Sequence, residues 1–116
     1  MPGRDADKTP TAAAFHILLA LADGERHGYG IMQEVAALTD GALRLGPGTL
    51  YGTIARLLEA GLIAEVAERP DPALDDERRR YYRLTPAGRR VAATEVRRLE
   101  RLVAAAGARQ LLGAPE

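Results

Sequence analysis

The sequence has 116 residues, 47% hydrophobic and 28% charged, with 16 basic side chains against 16 acidic ones and no cysteine. That length leaves room for one hydrophobic core, that balance excludes a disordered tail, and the missing cysteines exclude disulfides and thiolate metal sites. No apolar run approaches the ~20 residues that span a bilayer, and Met1 to Lys8 mixes charges with no apolar segment behind it, so the expected location is the cytoplasm.

Thr9-Pro10 reads as an N-cap with proline in the first helical position, after which Ala14, Ile17, Leu18 and Leu21 repeat at helical spacing up to Asp23-Gly24. A second helix opens near Gly28, aligns Ile31, Val35 and Leu38, and ends at Thr39-Asp40-Gly41. A third follows Gly46-Pro47-Gly48, aligns Leu50, Ile54, Leu57 and Leu58, and stops at Gly61, where glycine suits a left-handed C-terminal position.

The period then changes to two. Leu62, Ala64 and Val66 alternate with Ile63, Glu65 and Ala67, and Tyr81, Tyr82, Arg83 and Leu84 form a second β-like run, which together predict a hairpin. Arg69-Pro70-Asp71-Pro72 and Asp75-Asp76-Glu77 between them favour an exposed loop, the expected wing. Thr85-Pro86 repeats the capping device and opens one long helix reaching about Gly107. The expected fold is α+β, mainly α: a winged helix-turn-helix DNA-binding domain over residues 9–85 and a C-terminal dimerisation helix over 86–109.

A net charge of zero argues at first against nucleic acid, but distribution matters more than the sum. Residues 1–60 carry five basic and seven acidic side chains, and residues 61–116 eleven and nine, a change from −2 to +2. Arg78, Arg79, Arg80 and Arg83 cluster around one predicted strand. Alternation puts Arg78 and Arg80 on one side, where they suit DNA backbone or, equally, ion pairs with Asp75, Asp76 and Glu77.

With the apolar stripe of the third helix committed to the core, Thr49, Gly52, Thr53 and Arg56 are expected to face outward. Small residues let a helix approach base edges, threonine offers a hydroxyl and a methyl, and arginine bonds guanine or phosphate; the plain alternative is a solvated helix face. Gly46-Pro47-Gly48-Thr49 presents backbone amides at a helix start, which suits a phosphate. Tyr51, one residue out of phase with Leu50, is either a phosphate contact or a boundary tyrosine bonded within the protein.

In the last helix, Ala92, Val96, Leu99, Val103 and Ala106 recur at alternating steps of four and three, the seam of a two-helix coiled coil. A homodimer is expected, against the alternative that this face packs only on its own first helix. The alanine-rich, arginine-lined surface also suits a basic helix at a membrane, but the Trp and Phe anchors of such helices are missing.

No enzyme is expected. The chain has neither serine nor cysteine as nucleophile, His16 and His27 lack the close spacing of a helical metal pair, and Gly28-x-Gly30 has Gln33 at the third glycine position of a dinucleotide fingerprint. No cofactor or metal site is assigned. His27, in a turn before a helix, reads as a packing or capping residue, and His16 as structural. A winged-helix protein–protein module that never touches DNA remains the alternative function.

His27-Gly28-Tyr29-Gly30-Ile31, Pro47-Gly48-Thr49-Leu50-Tyr51, Leu57-Leu58-Glu59-Ala60-Gly61-Leu62-Ile63 and Arg80-Tyr81-Tyr82-Arg83-Leu84-Thr85-Pro86-Ala87-Gly88 together resemble the PadR family of transcriptional regulators, over roughly Thr11 to Ala106. The resemblance implies a cytoplasmic repressor that binds a palindromic operator in double-stranded DNA as a dimer and often releases it on binding a small aromatic or cationic inducer. It implies DNA contacts at Tyr29, Thr49, Tyr51, Gly52, Arg56 and the wing arginines. Two departures limit the transfer. The wing is longer and more acidic than usual in the family, and the chain lacks the tryptophan with which one subgroup stacks flat drugs at the dimer interface. The single C-terminal helix resembles the short members.

Overall fold

The computed structural model describes residues 9–66 and 80–113. Helix α1 (Ala12–Ala20) is apolar nearly all round because it is the central helix, packed against the three that follow. Its cap is Thr11, whose Oγ1 accepts from the Ala14 amide at 3.1 Å, so the cap expected at Thr9 stands two residues later. At its other end two arginines satisfy carbonyls: Arg26 Nε, six residues on, donates to Ala20 O of the last turn at 2.8 Å, and a nitrogen of the distant Arg89 donates to Ala22 O just past the C-cap at 3.0 Å.

Helix α2 (Gly28–Leu38) is capped by His27, whose Nδ1 accepts from the Gly30 amide at 2.9 Å. It closes on Thr39, whose hydroxyl donates to Val35 O at 2.9 Å and accepts from the Leu43 amide at 3.0 Å, stapling the turn that leads to α3 (Pro47–Glu59). Past the C-cap Ala60, Gly61 takes a φ of +77°. Its amide bonds Leu58 O and that of Leu62 bonds Leu57 O, both at 3.0 Å, the paired closure that a left-handed residue allows. The chain thereby turns from helix directly into strand.

The sheet has three antiparallel strands in the order β1 (Arg26–His27), β3 (Tyr81–Leu84), β2 (Ile63–Glu65), where the sequence predicts a two-stranded hairpin. Strand β1 escapes sequence reading because two residues show no period. Ile63 faces Leu84, Glu65 faces Tyr82, and Arg26 and His27 face Tyr82 and Tyr81. The expected wing at 69–77, with Arg78 and Arg79, lies outside the described residues.

Helix α4 (Pro86–Ala108) starts at Thr85, whose Oγ1 accepts from the Gly88 amide at 3.0 Å and donates to Gly61 O at 2.7 Å. Gly88 is needed here, since a Cβ would overlap the Leu62 carbonyl oxygen and stand 2.8 Å from Leu84 Cδ1. The core is one cluster built on Ile17, Leu18, Ile31, Val35, Leu50, Ile54, Leu57, Ile63 and Tyr82. Each such aliphatic side chain contributes ~1.5–3 kcal/mol when fully buried. Three helices and a small antiparallel sheet, followed by a long helix, make this a winged helix-turn-helix fold.

Candidate nucleic-acid interface

Burial divides α3 cleanly. Leu50, Thr53, Ile54 and Leu57 are buried, while Gly48, Thr49, Ala55, Arg56 and Glu59 are exposed and Gly52 lies half-exposed between them. Thr53 corrects the expectation that it faces outward with Arg56. It is only 2% exposed, its hydroxyl accepts from the Arg56 guanidinium at 3.3 Å, and it faces a groove of about 570 Å³ between the start of α1, the second half of α3 and Val91. The physical reason is the width of the buried stripe, which spans i, i+3, i+4 and i+7 from Leu50 and so takes in Thr53.

The outer face that remains is unusually small at its centre. Gly48, Gly52 and Ala55 form it over the first three turns, Glu59 continues it in the last, Thr49 and Arg56 flank one edge, and Tyr51 flanks the other. Gly46 caps the helix without any side-chain hydrogen bond, so the amides of Gly48 and Thr49 are presented at its positive end. Arg44, exposed three residues before α3, adds a cation that no periodicity in the sequence marks.

Tyr51 joins α3 to α2. Its ring lies over Gly28, so that a Cβ there would sit 2.8 Å from Tyr51 Cε1 and closer still to the hydroxyl. The neighbouring Tyr29 is 55% exposed and stacks on the His27 ring at 6.5 Å between centroids; His27 in turn meets the edge of Tyr81 at 5.3 Å. Tyr29, His27 and Tyr81 thus make a row of rings that reaches the base of the expected wing at β3, and Tyr51 sits on Gly28, the residue between the first two in sequence. At that base Arg80 is exposed and pairs with Glu65 at 3.7 Å, an open contact that a stronger anion can displace.

The expected seam on α4 is split. Ala92, 9% exposed, belongs to the core of its own chain, which corrects its expected place on an outward seam: its position beside Gly88 and Glu95 turns it inward. Val96 is 39% and Val103 52% exposed, Leu99 and Ala106 are half-buried, and Leu102 adds a further exposed apolar side chain. On the inward side Glu95 is buried and held by both guanidinium arms of Arg98, at 2.9 and 2.7 Å, which keeps its carboxyl below the usual carboxylate range. Among the described residues no group of histidines and carboxylates has the arrangement of a metal site, and no helix is long and apolar enough to cross a membrane.

A helix-turn-helix with a small-faced third helix, followed by the paired strands β2 and β3 and a long last helix, defines the winged helix-turn-helix class. The chain belongs to the PadR-like family of transcriptional regulators, whose family model matches residues 17–94. It is 42% identical to the transcriptional regulator Rv3488 of Mycobacterium tuberculosis over 102 residues, which cover 88% of this chain and 84% of that one. Among solved structures it resembles a PadR family transcription regulator from Clostridium difficile, with a TM-score of 0.69 at 21% identity over 89% of this chain and 100% of the other. It also resembles BpsR of Bordetella bronchiseptica, a protein whose DNA binding is regulated by 6-hydroxynicotinic acid, with a TM-score of 0.65 at 28% identity over 95% of this chain and 70% of the other.

Proposed function

We propose that this transcriptional regulator is a cytoplasmic, sequence-specific repressor that binds a palindromic operator as a homodimer and responds to a small-molecule inducer. Residues 9–85 form the DNA-binding unit and residues 86–109 the dimerisation helix. The observation that carries this reading is the outer face of α3, where over its first three turns Gly48, Gly52 and Ala55 leave no long side chain to hold the helix off base edges, while Thr49 and Arg56 supply donors beside them and Glu59 stands only in the last turn. Tyr51 and Tyr29 face the phosphates on one edge, the Gly48 and Thr49 amides receive one at the helix start, and Arg80, with Arg78 beyond the described residues, follows the flanking backbone.

The exposed apolar residues Val96 and Val103, with Leu99 and Ala106, support a partner for α4, since a helix of this length extends ~35 Å and its second half leaves the core. Ligand response is supported by the relationship to BpsR, and the inducer is left unnamed. A gel-shift with a duplex from the DNA upstream of its own gene tests the reading. Retention that weakens steeply with added salt is expected, as counterions return to the phosphates. A winged-helix module that binds only protein would retain no duplex at any salt concentration.

A further inference from the structure

We propose that His27 is a further DNA-backbone contact, donating from Nε2 to a phosphate on the strand that runs between α3 and the wing. The inference rests on the DNA-binding reading above and deepens it. An amide can only donate, so the 2.9 Å contact from the Gly30 amide requires an unprotonated Nδ1, and the proton of the neutral ring sits on Nε2. Nε2 has no hydrogen-bond partner within the described residues, and none of their unpartnered side-chain nitrogens is buried, so this N–H opens to solvent.

Its direction is fixed three times over. The cap holds one side of the ring, Tyr29 stacks on a face at an interplanar angle of 17°, and Tyr81 meets it edge-on at 72°. The backbone is fixed as well, because His27 pairs with Tyr81 across the β1–β3 ladder. His27 is therefore held beside two groups of the candidate interface: its chain neighbour Gly28 carries the Tyr51 ring, and its ladder partner Tyr81 follows Arg80 in β3. A helix reading the major groove, with a wing on the flanking backbone, brings a phosphate strand past these groups.

The test is a thermodynamic cycle between His27 and single phosphates. Duplexes from the upstream DNA, each with one phosphate replaced by a neutral methylphosphonate, are titrated with the wild-type protein and with His27→Ser, which keeps an N-cap oxygen but removes the ring. One replacement is expected to weaken wild-type binding ~3- to 10-fold and to leave the serine variant unaffected, as for one lost hydrogen bond. His27→Asn, a second capping residue, serves the same cycle if the serine variant melts early. Equal losses in wild type and variant at every position would overturn the proposal while leaving DNA binding intact. A wild-type protein that retains no duplex would overturn the DNA reading itself, and this inference with it.

Discussion

The ring of Tyr51 rests on the bare Cα of Gly28, so the third helix is seated on the first residue of the second. This contact sets the approach of the two helices of the helix-turn-helix pair, and it explains why both residues stand in motifs that the sequence presents as separate.

Gly28→Ala is therefore expected to destabilise the fold by ~1–3 kcal/mol, the usual range for overpacking. Denaturant unfolding measures it. Tyr51→Ala in the same chain is expected to remove most of the added cost, because the strain comes from Cε1 and the hydroxyl of that ring. A loss unaffected by the second substitution would mean that the strain lies elsewhere.

Arg56 and Thr53 are adjacent in structure and opposite in expected effect. Arg56→Ala is expected to weaken operator binding by ~1–3 kcal/mol if it contacts a base, at little cost in stability. Thr53→Val, at a buried site whose hydroxyl accepts from the exposed Arg56 guanidinium, is expected to leave base preference unchanged. Anisotropy titrations on matched and mismatched duplexes separate the two.

The Glu95–Arg98 pair links stability to pH. The bidentate hydrogen bonds of Arg98 lower the Glu95 pKa in the native state, against the opposing effect of burial. An acid whose native pKa is depressed stabilises the fold above its unfolded value near ~4.3, and that contribution fades as pH falls through the lower native value. The urea midpoint should thus drop as the pH is lowered from about 5 to about 3, and Glu95→Gln should flatten this part of the profile. An equal fall in the variant would assign the acid sensitivity to other carboxylates.

If α4 pairs two copies as proposed, Val96→Glu and Val103→Glu are expected to give soluble, folded monomers, because both side chains are already substantially exposed in the single chain. Sedimentation velocity reads the mass and circular dichroism the fold. Unchanged mass in the double variant would remove α4 from the interface.

Most of the helical skeleton is legible in the sequence, since the stripes of Ile17 and Leu18, of Ile31 and Val35, and of Leu50, Ile54 and Leu57 are all in the core, and Thr85 and Gly61 act as the caps their positions suggest. Three features are not. β1 is too short to show a period, and it forms only because β3 provides an edge beside it. Thr53 is a polar residue inside a buried stripe, which a division by hydrophobicity alone assigns to the wrong face. Ala92 fits a heptad seam and the core of its own chain equally by spacing, because alanine suits any close helix contact, and only its burial tells the two apart. On the outer side of α3, the outward placement of Thr49, Gly52 and Arg56 follows from helical phase, whereas the seat of Tyr51 on Gly28 depends on how two helices cross.

The most direct test is a hydroxyl-radical footprint of the wild-type protein on its upstream DNA. Two protected patches centred about one helical turn apart, 10–10.5 base pairs or a multiple of it, are expected, and Arg56→Ala should weaken both together. A single unpaired patch, or protection that Arg56→Ala leaves untouched, would contradict a dimer reading DNA through the outer face of α3.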